Sequence, residues 1–208
     1  MFDQRSFYIR ISNLLRSGQE RQAEQELLNT SAELRRTGDI EGLKFVINRL
    51  AHFYALPMSE DLAKAEQCFL ECELLSPEPY TLLQTATFYF YDRRDFSKTI
   101  TKVDEIKSRW EVTHSASYYS ALTLKGEALV ELGNIDGAKQ VLEEILAMIK
   151  SRPSGLPYGD ELNFLDAAIS KPSLAECSRE ILVLIIPRIR SQEYVQRAKV
   201  LLESNSGL

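Results

Sequence analysis

Little in this chain is equipped for chemistry. Its 208 residues include two histidines, His52 and His114, and three cysteines. No GxSxG, GxxxxGK[ST] or HExxH occurs, so a nucleophile elbow, a phosphate-cradling loop and a zinc-binding helix are not expected. Carboxylates are frequent but fall in runs such as Glu24-Gln25-Glu26 and Glu143-Glu144. Runs of that kind read as solvated helix faces, and nothing selects an acid–base pair among them. An enzyme is therefore not expected, and a catalytic site of unrecognised type is the distant alternative. No cofactor is expected either.

Other absences narrow the setting. Cys68, Cys72 and Cys177 are odd in number and form no disulfide framework, which favours a reducing compartment. The opening Met1 to Arg5 is polar and mixed rather than basic and then apolar, so the reading is of a cytoplasmic protein. The longest apolar run, Ile181 to Ile186, is far too short to span a bilayer, and no membrane span is expected. A net charge of −5 and a pI near 5.3 argue against broad phosphate binding, and nucleic acid is not an expected partner.

Cys68 and Cys72 merit one separate weighing. Four residues apart on a helix, their thiols fall on one side, and His52 on the preceding helix is a conceivable third ligand. Tetrahedral zinc needs a fourth ligand and usually a tighter loop spacing. Cys72 also falls in an apolar stripe, where a free cysteine behaves as a small hydrophobe. No metal site is expected.

What is present is helical periodicity. Hydrophobic residues make up 44% and charged residues 26%, enough apolar material for a real core. The clearest stretch is Tyr118 to Lys150. Leu122, Gly126 and Leu129 share one helical face, Gly133-Asn134 breaks the pattern, and Ile135, Ala138, Leu142 and Ile145 share the face of a second helix. The small residues Gly126 and Ala138 let two backbones approach. Neither helix can bury its stripe alone, so the hairpin asks for neighbours.

On those eight residues the stretch resembles a tetratricopeptide repeat, a helical hairpin of about 34 residues. Weaker echoes precede it. Asp3 to Arg16 and Gln19 to Arg36 carry Phe7, Ile11 and Leu14, then Ala23, Leu27 and Leu34. Ile40 to Leu56 carries Ile47, Leu50, Ala51 and Tyr54. Pro57 stops that helix, and Ser59 is the expected N-cap of the next, whose stripe is Ala65, Phe69 and Cys72. Pro79 to Tyr91 is read with Leu83, Ala86, Thr87 and Phe90 inward, and the sixth helix with Phe96, Thr99, Val103 and Ile106 inward. The small residues opening each second helix, Ala23, Ala65, Thr99 and Ala138, lie 42, 34 and 39 residues apart, an irregular internal repetition.

The breaker cluster Ser151 to Pro157 divides residues 1–150, read as hairpin repeats, from residues 151–208, read as helices capping the same solenoid. That section is expected to hold a short helix from Asp160 to Ser170, one from Pro172 to Ile186 ended or kinked by Pro187, and a last one from Ser191 to Glu203. The tail after Ser204 is expected to fray.

The resemblance implies an all-α, right-handed superhelix of about four hairpins with a C-terminal cap. It also implies a non-enzymatic scaffold or adaptor that holds a peptide or helix of a partner protein in a concave groove. By the resemblance, that groove would be lined by Arg5, Tyr8, Ser12, Asn48, His52, Gln84, Phe88, Tyr91, Thr123 and Glu127. Aromatics there suit peptide side chains, and the amides of Asn and Gln suit an extended backbone. The competing reading is that Tyr8, Phe88 and Tyr91 simply pack against the next hairpin. Family members that clamp the acidic terminus of heat-shock chaperones carry a basic set, whereas the matching places here hold Tyr8, Ser12, Gln84, Thr85 and Phe88. A two-carboxylate ligand held in that way is not expected. The main rival function is a structural or homo-oligomeric role. The run Ile181 to Ile186, apolar all round, is read first as a central capping helix buried on all sides; in the rival role that run or Trp110 would form the self-association surface, and Ile185→Asp would leave a stable monomer.

Overall fold

The structure, a computed structural model, describes residues 2–57, 59, 61–111, 115–152 and 154–204. His114, Pro153 and the tail 205–208 lie outside the described residues. Among the described residues the chain is all-helical, with eleven α-helices, one 3-10 turn and no strand. It divides into two compact units, Met1–Phe88 and Tyr89–Leu208.

The first unit holds α1 (Gln4–Arg16), α2 (Glu20–Thr37), α3 (Ile40–Ala55), α4 (Leu62–Leu75) and most of α5 (Pro79–Tyr91). Consecutive helices from α1 to α4 pack against one another. Their starts are written locally. Asp3, Asp39 and Asp61 each accept a hydrogen bond from the backbone N–H three residues on, at 3.1, 2.9 and 3.1 Å. Each such cap is worth about 1 kcal/mol. Gly38 ends α2 in the left-handed region at φ 73°, and its N–H and that of Asp39 return to the carbonyls of Arg35 and Leu34. Asp61, not Ser59, caps α4. Ser59 instead sits in the turn after Pro57, where its N–H bonds to the Leu56 carbonyl.

The expected stripes of α1 to α4 are buried except at Leu14, which is half-buried. Phe7 and Ile11, Ala23 and Leu27, Ile47 and Ala51, and Ala65 and Phe69 are all at or below 4% exposed. Each large apolar side chain so buried contributes about 1.5–3 kcal/mol. In α5 Ala86 and Phe90 are buried as expected, at 0% and 4% exposed, and Leu82, Thr85, Phe88 and Tyr89 are buried as well. Thr85 fits inside because its hydroxyl donates to the Thr81 carbonyl, so no polar atom is stranded. Leu83 and Thr87 are only half-buried. Polar ties fix the register of the packed helices. The Tyr54 hydroxyl donates to Glu24 at 2.9 Å, Arg35 pairs with Glu71, and Lys44 pairs with Glu78.

The second unit holds the end of α5, then α6 (Phe96–Arg109), α7 (Ala116–Glu131), α8 (Ile135–Ser151), α9 (Leu162–Ile169), α10 (Pro172–Ile185), a 3-10 turn (Ile186–Arg188) and α11 (Gln192–Ser204). Here α7 packs against α6, α8 and α9, while α10 packs against α8, α9 and α11. Ser115 and Asn134 cap α7 and α8, and Gly133 makes the left-handed turn between those helices. Pro187 ends α10 within the 3-10 turn, as its missing N–H and fixed φ dictate.

One sequence expectation changes in this unit. Gly126 makes room chiefly for α9, because a methyl group there would overlap the buried Phe164 ring. The run Ile181 to Ile186 faces inward over most of its circumference. Ile181, Leu182 and Ile185 are completely buried, and Val183 alone in the run is more than half exposed. Ile185→Asp therefore tests folding rather than self-association, since it would place a carboxylate in a dry core.

Gly126→Ala should destabilise the second unit by about 1–3 kcal/mol through overpacking. Adding Phe164→Leu should recover part of that loss. Denaturant midpoints at constant slope provide the measurement, and an unchanged midpoint in the single variant would contradict the packing described.

Candidate functional site

The apolar face of α3 is spent on its neighbours: Leu43, Val46, Ile47, Leu50, Phe53 and Tyr54 are all buried. Helical spacing then places Glu41, Lys44, Phe45, Asn48, Arg49 and His52 on the remaining side. All of that stripe but His52 forms one wall of a cavity of about 300 Å³ within the first unit. Gln4 of α1, Phe69 and Cys72 of α4, and Tyr80, Thr81 and Gln84 of α5 complete it. The floor is apolar and the rim carries amides and charges, the usual make-up of a binding cleft.

Arg49 is the unusual member. Its guanidinium carbon lies 4.6 Å from the Tyr8 ring centroid and 5.2 Å from that of Phe45. Cation–π contacts of this kind contribute about 0.5–2 kcal/mol and hold the planar group in one place. Its Nε is shielded from solvent and has no hydrogen-bond acceptor among the described residues. Leaving a buried donor unmet costs about 1–3 kcal/mol, and more for a charged group. The other cation of the wall is satisfied: Lys44 pairs with Glu78 and donates to Ser76 at 3.0 Å. Lys44 and the neighbouring hydroxyls hold the Glu78 carboxyl below its ordinary range.

The ten groove positions expected from sequence are distributed as follows. Asn48 and Gln84 line the cavity, and Tyr8, 46% exposed, reaches it through Arg49. Arg5 is exposed and Ser12 half-buried on α1. His52 is exposed and sets its ring edge-on to Phe69, centroids 5.3 Å apart. Phe88 is 1% exposed, packed on Phe69 at 5.0 Å, so it is interior. Thr123 is also interior, donating to the Ser120 carbonyl at 2.8 Å. In the second unit Tyr91 is exposed and meets Asn163, with Glu127 nearby.

Sequence reasoning passed over Arg49. Its four-residue spacing from Phe45 was a usable signal, but Tyr8 comes from 41 positions away and only the fold brings it there.

The cysteines are not set up for reaction. Burial pushes the Cys68 thiol up to about 11 and the Cys72 thiol up to about 12, so both stay protonated at neutral pH. The Cys72 thiol donates to the Lys44 carbonyl at 3.7 Å. Among the described residues no group of three or more His, Cys, Asp and Glu is gathered with metal-binding geometry.

The second unit carries two unusual carboxyls. Glu161 is completely buried at the start of α9, both its oxygens accepting from the Gly159 N–H at 3.1 Å, with Tyr119 beside it. Burial pushes its carboxyl up to about 7. Burial likewise raises Glu127 to about 7, with Glu131 adding to the shift and Arg197 opposing it.

No protein-family model matches this sequence, and no significant match to it was found among curated proteins or solved structures.

A carboxyl raised in the folded state is protonated there while still ionised in the unfolded chain. The folded state then binds more protons between about pH 4.5 and 7, so stability falls as pH rises through that window. Thermal unfolding should therefore show a higher midpoint at pH 5 than at pH 8, and Glu161→Gln should flatten that difference. A wild-type midpoint that is level across the window would count against a buried, protonated Glu161.

Proposed function

We propose that this chain is a non-enzymatic interaction scaffold of the tetratricopeptide-like kind, holding an extended segment of a partner protein against the free face of α3. On this reading the hairpins form a right-handed superhelix of about four units closed by a C-terminal helical cap. The observation that carries the reading is the cavity in the first unit. It is lined mostly from α1, α3 and α5, the helices that open successive hairpins in this reading, with Phe69 and Cys72 of α4 between them, and it presents the amides of Asn48 and Gln84. Side-chain amides donate and accept at once, so they match the alternating N–H and C=O of an extended peptide. Tyr8 and Tyr80, both about half exposed, supply rigid aromatic surface beside them. The stripe of small residues, Ala23, Ala65, Thr99 and Ala138, each 0% exposed, supports the hairpin repetition on which the resemblance rests.

Asn48→Ala combined with Gln84→Ala removes both amides without touching the buried core. With helicity checked by circular dichroism, a protein captured from lysate by the wild type should be captured at least tenfold less by the variant. Equal capture by both would overturn the groove reading. Capture of the chain by itself alone would favour the self-associating alternative.

A further inference from the structure

We infer that the cavity beside Arg49 takes the carboxylate of an Asp or Glu side chain from a peptide that runs on past it, with the Arg49 guanidinium as its partner. The inference rests on the groove reading above and adds the chemistry of what enters. Three observations support it. The guanidinium is fixed between the rings of Tyr8 and Phe45, so its edge is presented in one orientation and not as a mobile charge. Arg49 lines the cavity, and among the described residues it makes no ion pair or hydrogen bond, so its guanidinium has no counter-charge until a carboxylate enters. Lys44, the neighbouring cation, is already neutralised by Glu78, which leaves a single unmet positive group.

That count selects the ligand class. A phosphate dianion would call for more than one cation, and the Glu41 carboxylate on the same wall repels a double charge about twice as strongly as a single one. A single carboxylate matches a single guanidinium. The amides select the source. Asn48 on α3 and Gln84 on α5 line the same cavity from different helices, which suits main chain continuing on either side of the anchored side chain. Arg49 is then a binding residue whose role is selectivity, and the aromatic pair positions it.

The test uses the full 208-residue chain on an array of nonapeptides, acetylated and amidated at their ends, with randomised flanks and a fixed central residue. Pools centred on Asp or Glu should capture at least tenfold more protein than pools centred on Asn or Gln. Arg49→Met and Arg49→Lys, each confirmed helical, should lower that ratio to below threefold. Lysine keeps the positive charge but lacks the planar fork of donors, so a ratio it preserves would overturn the assignment. An acid preference that survives Arg49→Met would do the same, as would stronger capture by pools with a free C-terminus. Capture that depends on Asn48 and Gln84 but ignores the central acid would overturn this inference and leave the groove reading standing. No capture of any pool by the wild type would overturn both.

Discussion

Close approach of paired helices is the constraint on which the rest of this structure depends. Ala23, Ala65, Thr99 and Ala138 stand near the start of α2, α4, α6 and α8, and none has any exposed surface. A larger side chain at such a point would push two backbones apart and open the stripes of Leu, Ile and Phe that flank it. Thr99 satisfies the same limit with a hydroxyl, which it turns back to the Asp95 carbonyl at 3.0 Å so that no polar atom is stranded. Ala198, equally buried in α11, repeats the device near the end of the chain.

Once the apolar faces are committed in this way, the chemistry of the remaining faces is what distinguishes one part of the chain from another. In the first unit α3 is held by α2 and α4, and its polar side becomes the wall of a cavity. An arginine on that side is shielded because its neighbours are aromatic, not because it sits in the core. In the second unit the same logic runs the other way. Glu161 is drawn inside where α9 starts, and its carboxyl is kept near neutrality by the absence of water and of a cation. One unit thus leaves a buried donor without an acceptor, while the other buries an acid that gives up its charge.

The helices themselves were legible in the sequence. Their signals are local: a 3.6-residue apolar period, aspartates and asparagine at the starts, and glycine or proline at the ends. The two misreadings of element detail had local causes too. Ser59 and Asp61 are both capping residues two positions apart, and the chain needed the one adjacent to the first apolar residue of α4. In α5 apolar and aromatic residues fall on every side of the helix, so the pattern could not say which positions were deepest, and Ala86 and Phe90 are buried as expected while Leu83 and Thr87 are only half-buried. The proposed groove was legible only in part. Asn48 and Gln84 could be picked from helical position, but Phe88 could equally have been a surface anchor or a core ring, and packing on Phe69 makes it the latter.

By itself, the sequence determined that the chain is all-helical and where most helices begin and end, because those outcomes depend on residues within a few positions of each other. It also determined which residues would be buried on most helices, since a helix with one apolar stripe has only one way to hide it. Tertiary structure alone decided that Gly126 would receive the ring of Phe164, that Arg49 would lie between Tyr8 and Phe45, and that Glu161 would lose its water. Each of these needs side chains from segments well separated along the chain to meet at a distance and angle that no local pattern encodes. The features that bear on function belong to that second group, because a binding site is made where separate helices converge.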